Sequence, residues 1–166
     1  QSQIDALAQA AHERGLSVHL DGARLFNAHI HTGLSPQELT KNCDSVSICL
    51  SKGLGAPVGT LLVSSHEIIA KAKRIRKILG GSMRQVGVIA ACGMYALKNN
   101  IVRLQEDHNN AKLLAQGLSE ISELEVDYGE NQTNMLFVNC PEQHRAPLEQ
   151  YLFDNHIRIS SLDRGR

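Results

Sequence analysis

Apolar positions follow two spacings along the chain, and each change of spacing marks an element. Ile4, Leu7, Ala8 and Ala11 recur at helical intervals, which predicts an amphipathic helix over 3–14 closed by Gly15 at C′. Leu16 to Leu20 then reads as a short strand ending at Asp21. Ser35-Pro36-Gln37-Glu38 is a capping box with Pro at N1, so a short helix should run to about Asn42. Ser45 to Leu50 is β-branched and apolar, a second strand that runs out at Ser51-Lys52. Gly53, Gly55 and Pro57 break the chain before a third strand, Thr60 to Val63.

From His66 to Leu79 the period is helical again. Ile68, Ile69, Ala72 and Ile75 form the apolar stripe, and Lys71, Lys73, Arg74, Arg76 and Lys77 crowd the rest. Gly80-Gly81 stops it. Val86 to Leu97 is apolar nearly all round, which predicts a buried helix. A long helix follows from Ile101 to about Ser122, with Leu104, Ala111, Leu114, Ala115 and Leu118 on its inner face. Beyond Glu123, short strands at Met135 to Val138 and Ile157 to Ser160 flank a helix beginning near Pro147. Alternating strands and helices predict an α/β fold with a mainly parallel sheet, followed by the start of a small α+β domain. The boundary falls between roughly residues 105 and 125, dividing the chain into 1–115 and 116–166. The helical pattern begins at once after Gln1, and Arg166 closely follows a strand pattern, as expected of an internal piece of a longer polypeptide.

Composition narrows the class. With 42% hydrophobic residues the chain can build an ordinary core, which excludes disordered, collagenous and coiled-coil classes. Seventeen Lys plus Arg balance seventeen Asp plus Glu, so nothing favours nucleic acid as a partner. No apolar run approaches the roughly 18 to 20 residues of a membrane span, so no membrane partner is expected. Cys43, Cys49, Cys92 and Cys140 are scattered without a C-x-x-C pair, which predicts reduced, mostly buried thiols, neither a zinc site nor a disulfide framework, and a cytoplasmic protein.

Two polar groups fall where ligand sites of open α/β sheets collect, at the carboxyl ends of strands: Asp21 and Lys52. They are 31 residues apart, the length of one β-α-β step, so adjacent parallel strands would bring them to one cleft. A buried ion pair would use the same two groups. The surroundings of Lys52 favour chemistry instead. Ser51-Lys52-Gly53-Leu54-Gly55-Ala56-Pro57 sets an amine on a glycine-rich turn where backbone and ligand approach closely. An amine partly withdrawn from water is more available as the free base, as carbonyl capture requires. A carboxylate nearby would hold a pyridine nitrogen protonated, the pairing that pyridoxal phosphate (PLP) needs. A Ser51-Lys52 dyad fits poorly if the segment is extended, since neighbours then point to opposite faces. The Ser-Lys-Gly order is not that of a P-loop. His29 and His31 alternate as on one face of a strand, but lack a third ligand nearby, so loop histidines without metal are expected.

Three ordered motifs carry a resemblance. They are His19-Leu20-Asp21-Gly22-Ala23-Arg24, Cys49-Leu50-Ser51-Lys52-Gly53-Leu54-Gly55-Ala56-Pro57-Val58-Gly59, and Gly80-Gly81-Ser82-Met83-Arg84-Gln85. Together with Ala96-Leu97-Lys98-Asn99-Asn100 and Arg103-Leu104-Gln105-Glu106-Asp107-His108, they resemble the low-specificity L-threonine aldolases. Those are PLP enzymes of the aspartate-aminotransferase fold type, within the β-eliminating lyase superfamily. The likeness runs over nearly the whole chain and is densest from Val18 to His108; Ser82 stands where the pattern has glycine.

The resemblance implies that this is the later part of a fold type I large domain plus the start of the small domain. It implies Lys52 as the lysine that carries PLP, Asp21 as the partner of its ring nitrogen, and Arg24 near the ring hydroxyl and the substrate carboxylate. A surface ion pair is the competing role for Arg24. Arg84, after the Gly-Gly turn at a helix start, matches a phosphate-binding position, with a subunit-interface salt bridge as its competitor. Lys77 also matches a family position without a role to assign. Arg166 matches the carboxylate-binding arginine, with Arg164 competing. The implied activity is aldol cleavage of threonine or allo-threonine to glycine and acetaldehyde, in threonine catabolism and glycine formation, by a homo-oligomer built as a dimer of dimers. The competing expectations are another PLP reaction on the same lysine and aspartate, or a piece inactive without the ring-stacking and base histidines of the preceding part.

Overall fold

A computed structural model describes residues 2–160. The chain divides into two compact units, Gln1–Gln105 and Glu106–Arg166. The first opens with α1 (Ser2–His12). Its end is a Schellman closure, in which the Leu16 N–H donates to the Ala11 carbonyl (3.0 Å) and the Gly15 N–H to that of His12 (2.9 Å). The chain then enters β1 (His19–Asp21), later than the expected Leu16 start and including Asp21 itself. α2 (Leu25–Thr32) follows, then α3 (Pro36–Thr40) and β2 (Ser45–Cys49). At α3 the capping box forms in full. The Glu38 N–H donates to Ser35 Oγ, and the Ser35 N–H donates back to Glu38 Oε2 at 2.8 Å. The Ser35 hydroxyl, which also donates to that carboxylate, is the main reason the Glu38 pKa lies below its ordinary value.

β1 and β2 pair parallel, with Leu20 opposite Val46 and Asp21 opposite Ser47. Alternation along β2 buries Val46 and Ile48, and Leu50 just beyond, on one face. There Val46 and Ile48 pack with Leu25 and Leu39, and with Leu20 at the edge of the same cluster. Paired residues share a face, so His19 and Asp21 stand with Ser45 and Ser47 on the other one, where His19 Nδ1 meets Ser45 Oγ at 2.8 Å.

β3 (Thr60–Ser64) pairs with β2 antiparallel, Cys49 opposite Thr60. The parallel expectation fails for this strand because only a ten-residue loop, without a crossover helix, joins it to β2. The sheet of this unit is therefore mixed, in the order β1-β2-β3. β3 is an edge strand among the described residues, and Leu61, Leu62 and Val63 are all exposed on it. α4 (His66–Ile78) is capped by Ser65 and leaves Ile75 and Ile78 exposed beside its basic residues. α5 (Gly87–Asn99) buries only Gly93 and Ala96. Val88 is 77% and Met94 72% exposed, so the helix expected to be buried all round is covered on one side only.

α6 (Leu104–Ser119) starts three residues later than expected and crosses the division between the units. Leu104, His108, Ala111 and Ala115 form its buried stripe, while Leu114, expected inside, is exposed. In the second unit β4 (Glu125–Asp127) pairs antiparallel with β5 (Phe137–Asn139). α7 (Glu142–Asp154) begins five residues before Pro147, which it carries in its interior. The strand expected at Ile157 to Ser160 does not form, since no described strand pairs with it. Instead the Arg158 guanidinium lies over the Phe153 ring, 4.2 Å from its centroid.

One carboxylate secures the amino end of the β1–β2 pair. Asp44 Oδ2 accepts the Val18 N–H at 2.7 Å and meets His12 Nε2 at 2.9 Å, while the Ser64 hydroxyl donates to the Asp44 carbonyl at 2.6 Å. The bond from Val18, followed by that from His12, holds the Asp44 carboxyl below its ordinary pKa. A carboxylate depressed in the folded state stabilises the fold above its unfolded value of about 3.9 and loses that contribution as pH falls through the folded value. In the intact protein, Asp44→Asn should therefore be less stable than wild type at neutral pH. Its acid limb below pH about 4 should also be flatter, as read by urea midpoints across a pH series.

Candidate active site

The site is built at the carboxyl edge of the β1–β2 pair. Asp21 is the last residue of β1 and is exposed. Its Oδ1 accepts the Ala23 N–H at 3.1 Å, an Asx turn that holds the carboxylate at the strand end. Oδ2 has no hydrogen-bond donor among the described residues. Gly22 follows in a tight place. A Cβ there would lie 2.9 Å from the Ser47 carbonyl oxygen and 3.0 Å from Val46 Cγ1, so glycine lets the chain turn against β2 directly beyond Asp21. Arg24 is the N-cap residue of α2 and is half-buried, three residues from Asp21 at the same edge.

Lys52 lies three residues past the end of β2, on the loop that returns to β3. The Gly55 N–H donates to the Lys52 carbonyl at 2.8 Å, closing a tight turn over 52–55, and Gly55 takes a φ of +73°. The ends of the loop are cross-linked as well: Leu50 N–H to Gly59 carbonyl at 2.9 Å, and Ala56 N–H to Leu50 carbonyl at 3.0 Å. Underneath, Leu50, Leu54 and Ala56 are buried in one cluster with Ala96 and Leu104. The Asn100 side-chain amide donates to the Leu54 carbonyl at 2.7 Å. Lys52 is thus an exposed side chain on a rigid base. Its Nζ has no hydrogen-bond or ion-pair partner among the described residues.

Several sequence expectations are decided by this geometry. Asp21, Arg24 and Lys52 come to one edge of the sheet. Asp21 and Lys52 form neither a buried pair nor an ion pair: both are exposed and unbonded to each other. The expected partial withdrawal of Lys52 from water is not seen either, because the turn projects it beyond the sheet edge. β2 ends at Cys49, so Ser51 and Lys52 sit on a bend rather than a strand, and no hydrogen bond joins their side chains as a Ser-Lys dyad would need. His29 and His31 belong to α2, not to a strand face; two residues apart on a helix, they diverge. No group of three or more potential metal ligands occurs among the described residues.

Arg84 is exposed in the turn before α5, next to Gln85 with its φ of +50°. It is the opposite end of α5 that packs on the Lys52 loop, through Ala96 and Asn100, so no described contact joins Arg84 to Asp21 or Lys52. Arg164 and Arg166 lie outside the described residues. Asn100 was not singled out as a site residue from sequence. Its signal, a polar residue directly after an apolar helix, reads equally as an ordinary C-cap.

Residues 1–141 match the family described as Beta-eliminating lyase. The chain belongs to the beta-eliminating lyase family. Among curated members it is 50% identical over 149 residues to the low specificity L-threonine aldolase of Escherichia coli, covering 90% of this chain and 44% of that one. It is 46% identical over 146 residues to low-specificity L-threonine aldolase 1 of Arabidopsis thaliana, covering 88% of this chain and 41% of that protein. The chain thus spans less than half the length of these relatives. Among solved structures, a putative L-allo-threonine aldolase from Listeria monocytogenes superposes with a TM-score of 0.82 at 25% identity, over 96% of this chain and 45% of that one. The fold is accordingly that of part of a PLP-dependent fold type I enzyme. In this lyase family setting the donor set is chemically apt. A partner-free amine and a carboxylate with one open oxygen suit a ligand that presents a carbonyl and a protonated ring nitrogen, as PLP does.

The close approach at Gly22 gives a direct test of how tightly this edge is built. Gly22→Ala in the intact protein should lower stability by about 1–3 kcal/mol, because the added methyl meets the Ser47 backbone and the buried Val46 side chain. Urea denaturation of the two proteins reads the difference.

Proposed function

We propose that the protein carrying this chain cleaves threonine and allo-threonine to glycine and acetaldehyde, using PLP. The observation that carries the reading is the arrival of Asp21 and Lys52 at neighbouring parallel-strand ends, in a chain half-identical to a threonine aldolase. Lys52 Nζ would hold the cofactor through its carbonyl carbon, as the amine that exchanges with the substrate amine. The Asp21 carboxylate keeps a proton on the ring nitrogen. Arg24 offers a planar guanidinium, suited to the substrate carboxylate or the ring hydroxyl. Arg84 is assigned to the phosphate and Arg166 to the substrate carboxylate, with Arg164 as its competitor. When bound, PLP supplies the electron sink for the pair released as the Cα–Cβ bond breaks.

On this reading residues 1–115 belong to the PLP-binding large domain and 116–166 to the small one. The protein works in the cytoplasm, in threonine catabolism and glycine formation, as a homotetramer built from a dimer of dimers. Symmetric assembly is the default for soluble oligomers, and the uncovered apolar side chains of α4 and α5 are in keeping with a further layer of protein.

Two variants test the assignment. Borohydride treatment of the intact protein after incubation with PLP should fix a pyridoxyl group on Lys52, found by peptide mapping and absent from Lys52→Ala. An unmodified Lys52 in folded protein would remove the cofactor from the reading. Asp21→Asn, which keeps the shape and removes the charge, should still be trapped but should lose roughly a hundredfold in kcat. Products from threonine, allo-threonine, serine and alanine separate aldol cleavage from elimination, racemisation and transamination.

A further inference from the structure

The motif Ala96-Leu97-Lys98-Asn99-Asn100 has no part in the chemistry above, yet its last residue touches the loop that carries the lysine. Gly93, Ala96 and Asn100 fall at i, i+3 and i+7, on one face of α5. That face meets the Lys52 loop closely. A Cβ at Gly93 would lie 2.9 Å from Leu50 Cδ1, and Ala96 is 1% exposed against Leu50, Leu54 and Ala56. At its end the Asn100 backbone N–H donates to the Ala96 carbonyl, closing the helix, while its side-chain Nδ2 donates across 46 positions to the Leu54 carbonyl at 2.7 Å. Leu54 is only 4% exposed and is the third residue of the 52–55 turn. A Cβ on Gly55 would come no nearer than 3.7 Å to Asn100 Nδ2, so the amide sits against the turn without crowding it.

We infer that Asn100 is a positioning residue for Lys52: its amide pins the Leu54 carbonyl and so fixes the turn from which the lysine projects. The inference rests on the proposed role of Lys52 and adds a residue that acts through it. A helix cap alone would not need the side chain. Asn99, one position earlier, shows the contrast, since its Nδ2 bonds the Tyr95 carbonyl of its own helix. With Asn100 in place, the turn is held from both sides, by the Gly55–Lys52 bond within it and by α5 from outside. Without it, the Leu54 carbonyl loses its donor and the turn samples other conformations, so Lys52 reaches its capture geometry less often.

The test compares wild type, Asn100→Ala, Asn100→Asp and the control Asn99→Ala, all in the intact protein. The first readout is hydrogen exchange of the 50–59 segment without PLP. Both Asn100 variants should speed exchange of the Gly55 and Ala56 amides by roughly tenfold, with Asn99→Ala at the wild-type rate. The second readout is the rate at which added PLP becomes trapped on Lys52 by borohydride, which should fall in both Asn100 variants. For threonine cleavage, kcat should fall while KM stays within roughly twofold. Wild-type exchange and trapping rates in either folded Asn100 variant would overturn the inference. If Asn100→Ala does not fold, the near-isosteric Asn100→Asp, which lacks the amide donor, decides alone. Should wild type trap no PLP while exchange still responds at position 100, the functional reading falls and the pinning of the turn stands.

Discussion

The site depends on the register of one parallel strand pair. Because side chains alternate with a period of two, sliding β1 by a single residue against β2 would bury Asp21 among Val46 and Ile48 and turn Leu20 out. Three residues of β1 are a short template for that choice, so the register is secured from outside the strand. At the amino end, Asp44 ties the Val18 backbone, the α1 residue His12 and, through its own carbonyl, the β3 residue Ser64. At the carboxyl end, Gly22 lets the chain turn flush against Ser47. Between these clamps the leucine goes to the core and the aspartate to the polar face.

The lysine is held by a different device. Its loop is a hairpin connection rather than a crossover, so it has no helix of its own to brace it. The bracing comes from below, where Leu50, Leu54 and Ala56 sink into a cluster shared with α5 and the first residue of α6. A polar tip is thereby carried on an apolar root. The same short connection forces β3 to run antiparallel, so the arrangement that stabilises the lysine also sets the mixed character of the sheet.

What the sequence made legible was local. Gly15 and the Ser35–Glu38 box name their helix ends through bonds to near neighbours, and Asp21 and Lys52 stood out because strand ends are readable from apolar runs and their breakers. What stayed hidden needed a partner distant in sequence. Leu25 to Thr32 shows weak periodicity, so α2 emerged only as packing against β2 and α3, and His29 and His31 were read on the wrong element. Strand direction at β3 was missed because an apolar run carries no sign of its orientation. Ile157 to Ser160 has strand composition but no mate among the described residues, and Arg158 folds back on Phe153 instead. The helix expected to begin near Pro147 begins at Glu142 instead and carries Pro147 in its interior. The tether from Asn100 to Leu54 spans 46 positions, beyond the reach of any local pattern.

β3 has a consequence for how such a chain must be made and handled. Thr60-Leu61-Leu62-Val63-Ser64 has no lysine, glutamate or proline of the kind that guards natural sheet edges. Its outer ladder, unpaired among the described residues, and its apolar flanks suit the growth of one molecule's sheet onto another's. During synthesis, pairing of this segment with its correct neighbours therefore competes with aggregation.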